Sequence, residues 1–211
     1  MTNSRLFDDT GLDRFYLIVP DAASVARFAS LGVRTIQLRA KGLDTVAVRR
    51  QIVASLDAAV PSGCQLIVND HWREALSCGA DYVHLGQEDL ADADIPTLKA
   101  AGVRIGVSTH DEGELALALS IEPDAIALGP IYTSSSKSTG RLPQGLGRIR
   151  QWRSRIGRLP LVVIGGITLD TAPEAVAAGA DSCAVIADVT SAADPDARAR
   201  QWLAWSDVRS C

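Results

Sequence analysis

Residues 177–186 read AAGADSCAVI: a helical run ends on glycine, passes a small and a charged residue, and enters an apolar run. Glycine adopts positive φ at little cost, so a helix can stop there and the chain can turn directly into a strand. The same phrase, a glycine followed by a small residue, a charged residue and a run rich in Val and Ile, recurs at Gly32-Val33-Arg34, Gly79-Ala80-Asp81 and Gly102-Val103-Arg104. Each copy predicts a junction from a helix to a strand.

Short and nearly continuous apolar runs are typical of strands that are buried on both faces of a parallel sheet. Eight such runs are present, at residues 15–19, 35–38, 65–68, 82–84, 104–107, 125–128, 161–164 and 182–186. Helical patterns lie between them, including an apolar stripe formed by Val48, Ile52, Leu56 and Val60, with Val53 beside it. Eight strands alternating with helices predict a (β/α)₈ TIM barrel, in which 211 residues leave room only for short loops.

A doubly wound open sheet is the competing α/β architecture. It would need a glycine-rich phosphate turn after the first strand, where Val19-Pro20-Asp21 stands instead. The barrel is therefore favoured. We expect one domain over residues 1–211, with residues 1–13 as an N-terminal extension and residues 190–211 as a C-terminal helical segment.

The composition is that of a globular protein and excludes a disordered, collagen-like or coiled-coil chain, because 47% of the residues are hydrophobic and 22% are charged. The net charge of -4 gives no electrostatic case for nucleic acid or an anionic membrane as a partner. The longest apolar stretch, at residues 161–167, is far too short for a membrane helix, and the four cysteines are scattered. We therefore expect a cytoplasmic protein that acts on small molecules.

In such a barrel, reactive residues gather at the carboxyl ends of the strands. The second strand runs into Gln37-Leu38-Arg39-Ala40-Lys41, whose alternation places Gln37, Arg39 and Lys41 on one side of an extended chain. Two cations and an amide on one side favour an anion-binding site over a pair of solvated charges.

Carboxylates follow the next two strands, in Asn69-Asp70 and in Gly86-Gln87-Glu88-Asp89. Either segment alone could be a helix cap or a turn. Beside an anion-binding strand, however, two carboxylates are typical of a site for Mg²⁺. This ion takes hard oxygen ligands, and phosphate oxygens of a substrate complete its coordination. Glu88 is a weaker candidate because its side chain points in the alternate direction.

Three further segments follow later strands. The loop at residues 129–140 carries Thr133, four serines and Lys137, and we interpret it as a mobile lid rather than a flexible linker. The loops after the seventh and eighth strands often bind phosphate in this fold. Here they contain Gly165-Gly166-Ile167 and Val185-Ile186-Ala187.

Of the three histidines, we expect His84 to be a satisfied core residue and His71 to be exposed. His110, just past the fifth strand, is the candidate for proton transfer. The arginine-rich run at residues 148–158 predicts a solvated helix face with Trp152 buried inside it, rather than an RNA-binding surface.

These motifs, read in order, resemble those of the thiamine phosphate synthases, and the likeness extends from residue 15 to residue 189. The segments that carry it are Gln37-Leu38-Arg39-Ala40-Lys41, Asn69-Asp70, His84-Leu85-Gly86-Gln87-Glu88-Asp89, Gly106-Val107-Ser108-Thr109-His110, Gly129-Pro130-Ile131-Tyr132, Lys137, Pro143-Gln144-Gly145-Leu146 and Ile164-Gly165-Gly166-Ile167. The resemblance implies a transferase that joins 4-amino-2-methyl-5-hydroxymethylpyrimidine diphosphate to 4-methyl-5-(2-phosphonooxyethyl)thiazole, releasing pyrophosphate and thiamine phosphate.

The resemblance also assigns roles to individual residues. It implies diphosphate contacts from Arg39, Lys41, Asn69 and Lys137, and magnesium ligands in Asp70 and Asp89. Gln37 and Ser108 would orient the pyrimidine. The thiazole phosphate would lie on Gly166 and the amides of Ile186 and Ala187, helped by Ser134 and Ser136. The residues expected to act in catalysis are Arg39, Lys41, Ser108 and Lys137.

The implied mechanism is dissociative: the diphosphate leaves first, so the enzyme needs cations on the leaving group and no nucleophile. Two departures from the family pattern are the serines at positions 134–136, where threonines are usual, and Ala187, where serine is frequent. We expect the serines to make the lid more flexible, because serine lacks the methyl group that stiffens χ1. We expect Ala187 to have only a small effect. The alternatives are a thiazole tautomerase that transfers a proton near His110, and a barrel that binds thiamine phosphate without catalysis.

Overall fold

Eight parallel strands close into a barrel in chain order, with the last strand paired to the first. The computed structural model describes residues 12–133 and 142–208. The strands are β1 (Phe15–Val19), β2 (Thr35–Leu38), β3 (Gln65–Asn69), β4 (Tyr82–Leu85), β5 (Arg104–Thr109), β6 (Ala125–Leu128), β7 (Leu161–Ile164) and β8 (Ser182–Val185). The predicted TIM barrel is confirmed, and each observed strand lies within two residues of its predicted limits.

Helices cover the outside of the barrel. In the described ranges they are α1 (Ala22–Ser30), α2 (Thr45–Ala59), α3 (Trp72–Ser77), α4 (Gln87–Asp92), α5 (Ile95–Ala100), α6 (Glu112–Ser120), α7 (Gly145–Ile156), α8 (Ala172–Ala177), α9 (Ala187–Thr190) and α10 (Pro195–Asp207). Five of them start after an aspartate whose carboxylate accepts a backbone N–H of the first turn: Asp21, Asp44, Asp94, Asp111 and Asp194. Such caps satisfy amides that have no partner inside the helix.

The repeated glycine phrase has the predicted backbone. Gly32, Gly79, Gly102 and Gly179 have φ of 95°, 80°, 75° and 117°, a region that residues with a side chain rarely adopt. Each glycine lies between a helix and the strand that follows it, so the helix-to-strand junctions are confirmed.

Two apolar layers hold the structure together. The larger one lies between the strands and the helices, and the smaller one fills the inside of the barrel. Inside, Tyr16 and Tyr82 are large, whereas Ala127 and Ala184 are small and line an open cavity. The inner layer therefore closes one part of the barrel and leaves space next to the alanines.

Helix α7 is fixed to the barrel by Trp152. The indole is fully buried, and its Nε1 donates to Thr109 Oγ1 at 2.8 Å, which in turn donates to the Ala127 carbonyl at 3.0 Å. The predicted solvated helix with one buried aromatic residue is confirmed.

The apolar stripe predicted on α2 is narrower than expected. Val48 and Ile52 are buried against the core, but Val53 and Val60 are 46% and 68% exposed. The other buried residues of α2 are Ser55 and Ala59, whose small side chains let the helix lie close to the barrel. The spacing of the apolar residues alone could not show that Val53, which follows the buried Ile52, faces outward.

Across the residues that the structure describes, no helix is both long enough and apolar enough to cross a membrane.

Trp152→Ala should destabilise the protein by about 3–5 kcal/mol, because it leaves a cavity and removes the indole N–H that donates to the Thr109 hydroxyl. Urea unfolding measures this change. Leu142→Ala, at a side chain that is 84% exposed, serves as the control and should change stability by less than about 0.5 kcal/mol. Equal effects of the two substitutions would contradict the proposed anchoring of α7.

Candidate functional site

A cavity of about 600 Å³ opens at the carboxyl ends of the strands. This volume is within the range of small-molecule sites. Its floor is formed by barrel residues that include Tyr16, Ala127 and Ala184. Predicted site residues on its wall are Gln37, Arg39, Asn69, Ser108, Gly166, Ile186 and Ala187. The structure thus brings together residues from the ends of five different strands, β2, β3, β5, β7 and β8.

Arg39 is the cation on the cavity wall. It is half-buried, and its amide donates to the Val19 carbonyl at 2.8 Å, which keeps the chain extended beyond β2. Among residues 12–133 and 142–208, its guanidinium has no hydrogen bond or ion pair. A half-buried guanidinium without a carboxylate partner is suited to bind an anion.

Lys41 and Asp70, which follow β2 and β3, form an ion pair. The ammonium group is half exposed, whereas the Asp70 carboxylate is mostly buried. Burial acts to raise the pKa of Asp70, but its hydrogen bond to Lys41 and the positive charge there outweigh burial and lower it. Asp70 also has a φ of 65°, an uncommon backbone conformation that Asp and Asn tolerate better than most residues.

Asp89 lies in the first turn of α4 and is close to Asp70. Burial raises the pKa of Asp89, and the negative charge of Asp70 raises it further. Two carboxylates that repel each other in this way are stabilised when a cation lies between them. The structure therefore brings together the two residues predicted as metal ligands, whereas the neighbouring Glu88 is exposed.

The donor set fits Mg²⁺, which is often held by one or two carboxylates and completes its octahedron with water and substrate phosphate. In the part of the chain that is described, no group of three His, Cys, Asp or Glu residues could hold a metal ion. A site of this composition thus depends on the substrate for its remaining ligands.

His84 and Ser108 form a hydrogen-bonded pair in the cavity wall. The His84 Nε2 and Ser108 Oγ atoms are 2.8 Å apart, and Gln87 Nε2 donates to the Ser108 carbonyl at 2.6 Å. Gly106 makes room for the ring, since a Cβ there would lie 2.9 Å from His84 Nδ1.

The expectation that His84 is a core residue was therefore wrong. The ring is half-buried and lines the cavity. His84 has the same strand parity as Tyr82, which faces the barrel axis, and it stands nearer the carboxyl end of β4. That parity is the sequence signal that could have identified it.

The other two histidines are both held by neighbours. His110 lines the cavity, and its Nδ1 lies 2.6 Å from Glu114 Oε2. His71 was expected to be exposed, which was wrong: it is half-buried, and its Nε2 lies 2.9 Å from the Ala40 carbonyl oxygen. This contact joins the segment after β3 to the segment after β2.

Gln37 is buried at the bottom of the cavity beside Tyr16. Its Nε2 donates to the Tyr16 hydroxyl at 2.6 Å, and burial raises the pKa of that hydroxyl well above its usual value. The tyrosine therefore stays protonated and fixes the amide orientation. Tyr16 was not predicted as a site residue, because it belongs to an apolar strand sequence.

The far wall of the cavity is built from backbone. Gly165 and Gly166 have φ of 95° and 67°, and a Cβ on Gly166 would lie 2.5 Å from the Thr133 carbonyl oxygen. Tyr132 N–H donates to the Gly165 carbonyl at 2.9 Å, which joins the loops after β6 and β7. The predicted lid residues Ser134, Ser136 and Lys137 lie outside the described residues.

Ile186 and Ala187 lie beside these glycines, where β8 passes into α9. The next residue, Asp188, accepts from Arg198 Nε and Nη2 at 3.0 and 2.9 Å and from Trp202 Nε1 at 2.7 Å. Helix α10 therefore fixes the loop after β8 through one bidentate pair and one indole.

A profile of the family described as thiamine monophosphate synthase matches residues 15–189. The chain belongs to this family. The thiamine-phosphate synthase of Rhizobium etli is 48% identical over 193 residues, covering 92% of this chain and 95% of the relative. That of Neisseria meningitidis serogroup A is 43% identical over 194 residues, with coverages of 92% and 95%.

A solved thiamine phosphate pyrophosphorylase from Pyrococcus furiosus superposes with a TM-score of 0.80 at 25% identity, covering 93% of this chain and 96% of that one. A 3-hexulose-6-phosphate synthase superposes with a TM-score of 0.66 at 19% identity and shows the shared barrel alone. The family, the transferase class and the condensation of a pyrimidine with a thiazole are thereby confirmed. The family acts on small phosphorylated substrates.

Gly166→Ala should destabilise the protein by about 1–3 kcal/mol, because the methyl group would meet the Thr133 carbonyl and the backbone would be strained. Urea unfolding checks the value. Gly147→Ala is the matched control: it lies in α7 with open space around its Cα, so the substitution should stabilise by up to about 1 kcal/mol. A Gly166→Ala variant with wild-type stability would show that the close approach of Thr133 to residue 166 does not require glycine.

Proposed function

We propose that the cavity joins 4-amino-2-methyl-5-hydroxymethylpyrimidine diphosphate to 4-methyl-5-(2-phosphonooxyethyl)thiazole by a dissociative mechanism. The observation that carries this proposal is the half-buried guanidinium of Arg39 on the cavity wall, with no side-chain partner in the described ranges; Asp70 and Asp89 follow the next two strands of the ring. A cation without a counterion on the same rim as two repelling carboxylates is complementary to a diphosphate that carries a divalent metal.

The diphosphate of the pyrimidine would bind along the end of β2. Arg39 would contact it directly from the wall, and Asn69, buried at the end of β3, would donate from its side-chain amide. Lys41 is held by Asp70 and would approach the same oxygens from the solvent side. Lys137 would add a further cation from the loop after β6.

Asp70 and Asp89 would hold Mg²⁺. When bound, the ion supplies positive charge that stabilises the negative charge developing on the diphosphate oxygens. The lowered pKa of Asp70 keeps that carboxylate ionised at neutral pH, which suits a metal ligand.

The pyrimidine would lie on the floor of the cavity. Because Gln37 Nε2 is engaged by Tyr16, its Oε1 is available to accept from the exocyclic amino group. Ser108 would contact the ring from β5, with its hydroxyl oriented by His84. These contacts orient the ring so that the methylene carbon points toward the thiazole.

The reaction then needs no protein nucleophile. The bond between the methylene carbon and the diphosphate oxygen breaks, and its electron pair leaves with the diphosphate. The amino group of the pyrimidine delocalises the resulting positive charge. The lone pair of the thiazole nitrogen forms the new carbon–nitrogen bond, and pyrophosphate is released. The protein contributes by placing cations on the leaving group and by excluding water.

The thiazole phosphate would bind on the opposite wall. The backbone of Gly165 and Gly166 and the amides of Ile186 and Ala187 lie together there, with no side chain at the glycines to block a phosphate. Ser134 and Ser136 would contribute hydroxyls from the loop after β6.

A cytoplasmic location stays a prediction.

A proton-transfer isomerase is the second candidate, because the Glu114 carboxylate orients His110 at the cavity wall. Incubation of the purified protein with both substrates and Mg²⁺, followed by mass measurement, separates the two. The synthase gives thiamine phosphate and one pyrophosphate per turnover. Conversion of the thiazole alone, without pyrophosphate, would support the isomerase, and no conversion at all would leave a binding protein.

Arg39→Gln should lower kcat/KM by about 10- to 100-fold, because a charge-assisted contact to the leaving group contributes about 1.5–3 kcal/mol. Steady-state kinetics of pyrophosphate release measure the effect. Arg73→Gln is the matched control, since it removes an exposed arginine that pairs with Asp92 on the outer surface. Unchanged kinetics in Arg39→Gln would exclude the proposed anion site.

Asp89→Asn should raise the Mg²⁺ concentration for half-maximal activity by at least about tenfold, because the ion loses one of two charged ligands. The measurement is a magnesium titration of the initial rate. Glu88→Gln, at the exposed neighbouring carboxylate, should leave the titration unchanged. Identical curves for the two variants would contradict the metal assignment.

A further inference from the structure

The outward face of α2 carries an apolar surface that the catalytic proposal does not use. Val46, Val53 and Val60 are 59%, 46% and 68% exposed. Arg50 and Asp57 are exposed on the same helix. We refer to Val46, Arg50, Val53, Asp57 and Val60 together as the α2 ridge.

The α2 ridge is continuous along the helix. Its valines are seven residues apart, so successive ones lie only about 20° apart around the axis. Val60 keeps helical backbone angles of -58° and -49°, which extends the row beyond the last residue of α2. Three exposed valines in one row form a contiguous apolar patch, which is more informative than the same side chains scattered singly.

Arg50 and Asp57 flank this row on the same side. Each follows a valine by four residues, which places it about 40° to one side of the row. Over residues 12–133 and 142–208, neither Arg50 nor Asp57 makes a hydrogen bond or ion pair through its side chain. The ridge thus presents an unpaired positive group toward one end and an unpaired negative group toward the other.

We propose that the α2 ridge binds a second copy of this chain, with the two α2 helices antiparallel across a twofold axis near Val53. This symmetry places Val53 against Val53 of the other copy and Val46 against its Val60. It also places Arg50 opposite Asp57 of the other copy, twice in each dimer, because a twofold axis of this kind keeps both residues on the same side of the seam.

The charges specify the direction and the kind of partner. Parallel helices would place Arg50 beside Arg50 and Asp57 beside Asp57, which is unfavourable. The antiparallel arrangement satisfies the valine row and both charged groups with one operation, as an isologous interface requires. A helix of 15 residues is only about 22 Å long, so the contact is small and the dimer should dissociate in the micromolar range.

Sedimentation velocity of the full chain, from about 1 µM to about 500 µM, tests the proposal. The wild type should change from monomer to dimer across this range. Val53→Glu places two like charges on the twofold axis and should raise the dissociation constant at least tenfold. Leu117→Glu, which changes an exposed leucine on α6, is the matched control and should leave it unchanged.

A charge exchange tests the twofold arrangement itself. Arg50→Asp and Asp57→Arg should each weaken the dimer by at least about threefold, since each creates two like-charged pairs. The double variant should restore the wild-type constant, because the exchanged charges again face opposite ones. Circular dichroism verifies that every variant is folded.

Three outcomes would overturn the proposal: a monomer at all concentrations, a dimer insensitive to Val53→Glu, or a double variant no better than the single ones. A chain that dimerises only after deletion of residues 1–11 would show that this segment occupies the ridge, and would equally overturn it.

Discussion

Closing eight parallel strands into a ring places every carboxyl end on the same rim, and the chemistry of this protein depends on that constraint. Each strand is short, so the residue after it lies at the mouth of the barrel rather than on a distant loop. Arg39, Asn69 and Ser108 are far apart in sequence and line one cavity only because β2, β3 and β5 belong to the same ring. The inner alanines Ala127 and Ala184 complete the arrangement, because they leave the space that larger side chains would fill.

The two predicted cations that follow β2 differ in whether they have a carboxylate partner. Lys41 already has a carboxylate partner, whereas Arg39 has none among the described residues. The Lys41–Asp70 pair also lowers the pKa of one aspartate while its neighbour Asp89 has a raised one. Two neighbouring aspartates, of which the ionised one raises the pKa of the other, are stabilised by a cation, and the proposed Mg²⁺ site rests on this pair.

Much of the fold was predictable because it depends on local chemistry. Four glycines at helix ends and eight apolar runs were enough to locate the strands within two residues, since positive φ and double-sided burial restrict the sequence strongly. The choice of rim positions followed from the strand ends. The errors concern side-chain direction: His84 faces the cavity, His71 is tied to a carbonyl, and Val53 points outward. The parity of His84 is visible within its own strand, but the assembled ring decides which parity faces the barrel axis. The direction of Val53 likewise depends on which elements pack against α2. Tyr16 was missed because a phenol in an apolar strand gives no local sign of its hydrogen bond to Gln37.

The connection from Asp188 to Arg198 and Trp202 has a consequence for biosynthesis of the chain. The loop after β8 is held by a helix that comes later in the sequence, so it lacks its support while α10 is still inside the ribosome. The barrel can close its strands earlier, but this part of its mouth acquires its final shape only when the last helix has emerged. A nascent chain that has completed all eight strands therefore still lacks the helix that fixes one wall of the pocket and that covers Phe15 of β1 through Trp202.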